Sequence, residues 1–167
     1  MAIKQAKKKI KNHGKYYCDD ILKINFKKNF FDCILSMHTI YHIDKKKQKK
    51  VVEKLINILK KDKPIIIVYS NPNIMLKKIY SKFYKKKKNK SQIYFYCHPN
   101  TWWKQFENKT YVNFYCWRSF SSQHQQKLFP NNIIGKISFD ILFFLEKNFP
   151  KLFINQFQYP IIVLKKK

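Results

Sequence analysis

His38 and His42 stand four residues apart in this 167-residue chain. On a helix that spacing puts both imidazoles on one face, where a third ligand would complete a metal site. No third ligand stands nearby, and packing or hydrogen bonding is the plainer role for His42. His38 has the residue type for general-base work on a hydroxyl or amine, because imidazole titrates near neutral pH. Asp19 and Asp20 are adjacent carboxylates, read most simply as turn acids or a helix cap. Cys18, Cys33, Cys97 and Cys116 form no CxxC pair. A zinc site that adds His98 or His124 lacks ligand spacing, and buried thiols in a reducing compartment account for the cysteines. The expectation is therefore no metal.

The elements that must position these groups follow from periodicity. Residues 2–12 have helical spacing through Ile3, Ala6 and Ile10, with Gly14 as a C-terminal cap and no residue to cap the start. Residues 15–18 read as a short strand ending at Asp19 and Asp20. Residues 26–30 read as a loop, and 31–36 as a strand buried on both faces. Asp44 caps a helix whose apolar stripe is Val52, Leu55, Ile56 and Leu59. Residues 64–69 form another buried strand, closed by a turn at Asn71, Pro72 and Asn73. This alternation of strand and helix implies an α/β fold with parallel pairs. Further on, the pattern predicts helices over 74–84 and 137–147 and a short one over 101–106. Strands are predicted over 112–117 and 159–164, with loops over 85–90 and 120–136.

Lys and Arg number 36 against nine acids, a net charge of +27, but Arg118 is the only arginine. A nucleic-acid binder more often carries arginine for bidentate contacts to phosphate and guanine. The wealth of Lys, Asn, Ile, Phe and Tyr is the residue set of A/T-rich codons, so composition alone explains the charge. At 45% apolar and 17% aromatic residues, the chain can build a core, which excludes a disordered tail. No apolar run reaches the length of a membrane span, and no signal peptide is visible, so the expectation is a cytoplasmic protein.

Three segments, in order, resemble the class I S-adenosylmethionine-dependent methyltransferases. Residues 17–26, Tyr-Cys-Asp-Asp-Ile-Leu-Lys-Ile-Asn-Phe, are similar to the family's third strand and its terminal acid. Residues 31–43, Phe-Asp-Cys-Ile-Leu-Ser-Met-His-Thr-Ile-Tyr-His-Ile, resemble the fourth strand and its loop. Residues 55–69 resemble a helix end and the fifth strand, and 159–165 the last strand. The resemblance implies a Rossmann-like fold with a mostly parallel sheet and an antiparallel last strand. It implies S-adenosylmethionine as cofactor and an unidentified methyl acceptor. Asp20 would accept from the adenine amino group with Ile21 against the ring, and Asp19 is the alternative in a shifted register. Ser36, Met37 and His38 would neighbour the cofactor at a strand end. His38 is the only candidate base, and methyl transfer by proximity alone needs none.

The family's first strand, glycine-rich turn and ribose-binding acid have no counterpart in this sequence, whose two glycines are Gly14 and Gly135. It reads as a family member truncated at the N-terminus and weak or inactive alone, with residues 1–70 as the cofactor-side half and 71–167 as the acceptor side. In the family's strand order two absent strands would leave residues 15–18 roughly 14 Å from 31–36. Residues 1–20 are then expected to be displaced, or completed by a partner chain. The first rival is a non-enzymatic interaction subunit, marked by an exposed apolar patch at 31–36. The second is a nucleic-acid module that stacks bases on Tyr94, Tyr96, Trp102, Trp103, Tyr111, Phe114 and Trp117; a core and pocket lid is the plainer reading of those aromatics. The third rests on Ile141 to Leu145 with Lys136 and Lys147, which would suit an anionic membrane surface; the plainer expectation is a helix buried against the sheet.

Overall fold

The computed structural model describes residues 5, 14–72, 74, 94–120, 122, 125–126, 129–157 and 159–167. Its sheet has four strands: β1 (Ile34–Met37), β2 (Pro64–Val68), β3 (Thr110–Arg118) and β4 (Tyr159–Lys166). Their order is β1-β2-β4-β3. β1 and β2 run parallel, while β4 runs antiparallel to both of its neighbours. The last strand is thus antiparallel, as its resemblance to the family implies. Between the strands lie α1 (Lys45–Ile58), α2 (Ile133–Asn148), α3 (Pro150–Gln156) and two 3-10 turns at Ile40–His42 and Asn100–Phe106.

α1 forms where the periodicity predicts it. The Asp44 carboxylate accepts from the Lys46 backbone N–H at 2.8 Å, which supplies the missing first-turn partner. Its apolar stripe meets one face of the sheet, where Leu59, Ile65, Ile67, Ile162 and Leu164 have no exposed surface. Trp103 and Phe106 close this core from the second 3-10 turn. Period-two alternation turns Leu35, Met37, Tyr111, Tyr115 and Trp117 to the opposite face, and all five are exposed.

The predicted strand at 15–18 does not form: residues 15–18 have no ladder partner among the described residues. A strand needs a neighbour for its N–H and C=O groups, and β1 is the edge of the described sheet. The chain instead folds through an aromatic cluster, in which Phe26 lies edge-on to Tyr17 at 5.3 Å and to Phe31 at 4.9 Å. The strand expected over 31–36 starts later, at Ile34; Phe31 forms only a bridge to Leu59. The helix expected from 137 begins at Ile133, because Asn132 caps it through a 3.0 Å bond from the Gly135 N–H. A Cβ at position 135 would lie 1.7 Å from the Pro130 carbonyl oxygen, so this turn packs only against glycine. The helix predicted over 2–12 lies, apart from Gln5, outside the described residues, as do that over 74–84 (except residue 74) and the loop over 85–90.

Candidate functional site

Because β4 is antiparallel to β2 and β3, the other three strands point the same way. Met37, Val68, Arg118 and the start of β4 at Tyr159 therefore share the carboxyl edge of the sheet. Open α/β sheets bind ligands at this edge. The loop and helices between β3 and β4 rise from it as well.

At the end of β1, the His38 backbone N–H donates to the Val68 carbonyl at 3.2 Å. His38 has φ of 55°, in the left-handed region that costs a residue with a Cβ about 1–2 kcal/mol. Its Nδ1 lies 2.8 Å from the Tyr41 hydroxyl, and its ring lies 5.0 Å from that of Tyr159, edge-on. Burial, then the positive charges of Arg118 and His42, hold the His38 pKa below its usual 6.5. Burial pushes the Tyr41 phenol up to about 12. The pair is therefore neutral at neutral pH. When Nδ1–H donates to the Tyr41 oxygen, Nε2 keeps its lone pair, the form a general base needs.

A second layer braces this pair. Tyr69 stacks edge-on to Tyr41 at 5.7 Å and donates its hydroxyl proton to Gln48 Oε1 at 3.1 Å. The same hydroxyl accepts from the His98 N–H at 3.1 Å, and burial raises its pKa. Gln48 is fully buried, and its Nε2 donates to the Ile43 and Tyr96 carbonyls, both at 3.0 Å. His98 stacks flat on Trp102 at 4.2 Å. Asn71 donates to the Asn155 and Phe157 carbonyls at 2.8 and 3.1 Å, tying the end of α3 to the end of β2.

Not every residue singled out by sequence meets here. Asp20 accepts from the Leu22 N–H at 2.9 Å, and Asp19 accepts from the Asp20 N–H at 2.8 Å; both acids are exposed. Ile21 is half-buried against the core. Lys54 of α1 donates to the Leu22 and Ile24 carbonyls and pins this turn to the helix. Among the described residues no hydrogen bond, ion pair or ring contact joins Asp19 or Asp20 to residues 36–38. Ser36 is half-buried and Met37 projects from the bare face. His42 donates from Nδ1 to the Tyr94 carbonyl at 2.9 Å, a structural bond. The described residues contain no group of three His, Cys, Asp or Glu arranged to hold a metal, and His124 lies outside them.

The aromatic residues split. Trp103 and Phe106 are core, whereas Tyr94, Tyr111 and Trp117 are exposed. Cys18 and Cys33 are exposed, so burial does not explain those two thiols. Gln48, Tyr41 and Tyr69 went unpredicted. Gln48 had a signal: it falls four, seven and eleven residues before Val52, Leu55 and Leu59, on the apolar stripe inside a run of lysines. Tyr69 had none, because its partners Gln48 and His98 lie 21 and 29 residues away in sequence, whereas Tyr41 stands only three residues after His38. A separate open cavity of about 470 Å³ lies at the start of α2, beside Gln125, Phe129 and Phe139, and shares none of these residues.

The sheet order, with a parallel β1–β2 pair and an antiparallel β4 between β2 and β3, is the frame on which the chain compares with known proteins. Residues 1–67 match the model of the methyltransferase domain family. The chain has the class I methyltransferase fold. A SAM-dependent methyltransferase from Archaeoglobus fulgidus superposes with a TM-score of 0.57 at 17% identity, over 94% of this chain and 71% of that one. Geranyl diphosphate C-methyltransferase from Streptomyces coelicolor A3(2), solved with S-adenosyl-L-homocysteine, gives 0.56 at 11% identity, over 99% of this chain and 58% of that one. The [4+2]-cyclase SpnF gives 0.56 at 10% identity, over 99% and 61%. This chain thus spans about three-fifths of those last two proteins. No curated protein matches the sequence.

S-adenosylmethionine fits these residues in part. One Asp20 carboxylate oxygen is held by the Leu22 N–H, and the other has no hydrogen-bond partner among the described residues, which leaves an acceptor for an adenine amino group. Three further acids are engaged: Asp32 pairs with Lys60 at 2.9 Å, Asp44 caps α1, and Glu146 accepts from Ser119. None of the described residues offers the ribose-binding acid or the glycine turn. No methyl-transfer step follows from this set of side chains.

Proposed function

We infer that this chain serves S-adenosylmethionine-dependent methyl transfer to an unidentified acceptor. Asp20 takes the adenine end with Ile21 against the ring, Asp19 is the alternative in a shifted register, and Ser36, Met37 and His38 neighbour the cofactor. Residues 1–70 are the cofactor-side half and 71–167 the acceptor-side half. The observation that carries this reading is the gathering of His38, Tyr41 and Tyr159 at the carboxyl edge of a sheet with the class I order. With only the adenine end provided, the chain alone binds the cofactor weakly, in the millimolar range, about −4 kcal/mol.

Titration of the purified chain with S-adenosylmethionine and S-adenosylhomocysteine, followed by NMR, tests this. The expected result is weak binding that falls roughly fivefold or more in Asp20→Asn, which keeps the shape and removes the charge-assisted acceptor. Binding that Asp20→Asn leaves untouched sinks the site assignment. An absence of binding at millimolar cofactor sinks the cofactor role itself.

A second reading, a non-catalytic interaction module, draws on β1. Its outer edge has no strand partner among the described residues, and Leu35 is 61% exposed beside it. A partner chain that completes the sheet would bury both, and cofactor affinity would then rise on mixing with that partner.

A further inference from the structure

α2 was expected to lie buried against the sheet, and it does not. Only Gly135 and Leu142 of its sixteen residues are buried. Ile133, Ile134, Ile137, Ile141 and Phe144 are 74%, 63%, 53%, 54% and 64% exposed. At 100° per residue these five span an arc of about 100°. Gly135, Phe139, Leu142 and Glu146 occupy the opposite, inward arc. Lys136, Asp140 and Lys147 lie together on a third arc at the flank of the apolar one. Phe149 and Leu152 continue the exposed apolar surface past the end of α2, beside Lys151.

We propose that the apolar face of α2 docks in the plane of an anionic lipid surface. An outward stripe of isoleucine and phenylalanine with lysines at its flank is the pattern of an interfacial helix. α2 is not long and apolar enough to cross a bilayer, so it lies along the surface. Charge selects this occupant over a second copy of the chain. Two chains at +27 repel, whereas an anionic leaflet attracts the lysines that flank the stripe. Asp140 is the one exposed acid on that flank, between Lys136 and Lys147. The face rises from the carboxyl edge of the sheet, but the proposal stands whether or not methyl transfer occurs there.

Co-sedimentation of the full chain with phosphatidylcholine vesicles, with and without phosphatidylserine, tests it. The chain is expected to partition onto the anionic vesicles. Ile137→Gln with Phe144→Gln is expected to lower that partition about tenfold or more, because both side chains leave the acyl boundary. Thermal unfolding should stay unchanged, since neither side chain is buried in the fold. A matched pair on the bare sheet face, Tyr111→Gln with Tyr115→Gln, should leave partition within about twofold. If the α2 pair partitions like the wild type, charge alone drives binding and the proposal fails. Equal losses from the β3 pair would move the contact to the sheet and also overturn it. A wild-type dimer that the α2 substitutions dissolve, with no partition onto either vesicle, would make α2 a subunit seam instead.

Discussion

The β1–α1–β2 unit and the α2–α3 segment are both rich in apolar residues, with opposite fates. In the first, Val52, Leu59, Ile65 and Ile67 lose all their exposed surface to one another. In the second, Ile134, Ile137, Ile141 and Phe144 keep more than half of theirs. Periodicity makes both helices, and the difference lies in what each face meets. α1 faces a sheet whose inward residues interdigitate with its stripe, while α2 turns only a narrow stripe inward. A hydrophobic stripe thus fixes a helix and its rotation without fixing what covers it.

The sharpest way to break this contrast is truncation on each side. Leu59→Ala should cost about 2–5 kcal/mol, because it removes buried methyls and leaves a cavity. Ile141→Ala should change stability by no more than about 0.5 kcal/mol. Urea unfolding of both variants measures the gap, and similar losses would mean that α2 is covered in solution. Comparable in size is Gln48→Leu. It leaves the Tyr69 hydroxyl and the Ile43 and Tyr96 carbonyls without their partner, at about 1–3 kcal/mol for each buried group that stays unpaired. Full stability in that variant would show the layer beneath His38 to be dispensable.

The smallest effect is on pH. Burial holds both His38 and His98 below their ordinary 6.5, the value they regain on unfolding. The unfolded chain therefore binds more protons in acid, so their share of stability is whole above about pH 6.5 and lost as pH falls through the folded values. Unfolding midpoints taken at pH values on either side of 6.5 should fall in acid, and His98→Asn should flatten the fall. Residues 133–156 hold no histidine, so amide exchange in α2 should follow the global transition and add no pH step of its own. A separate acid step in α2 would separate the two regions further than their packing does.

Most of the framework was legible in local pattern. The Asp44 cap, the aliphatic run of β2, the strands β3 and β4 and the α/β class all follow from short-range spacing, and all form. The site was legible only in pieces. Asp20 and His38 stood out by type and by resemblance to the family, yet the turn that follows Asp20 is pinned by Lys54 on α1 through the Leu22 and Ile24 carbonyls, and His38 is held by Tyr41 and Tyr159. The expected strand at 15–18 had the right composition and failed, because a strand is a property of a pair.

By itself the sequence determined which segments coil and which extend, the +27 charge, and the absence of a glycine-rich turn from this stretch of chain. Those are properties of neighbouring side chains and backbone preferences, and they need no knowledge of the rest of the molecule. Only the tertiary structure decided that β4 inserts between β2 and β3, that Gln48, Tyr69 and His98 meet beneath His38, and that the α2 stripe faces outward. Each of those depends on surfaces brought together from distant parts of the chain, and burial and hydrogen-bond satisfaction are properties of such pairs of surfaces.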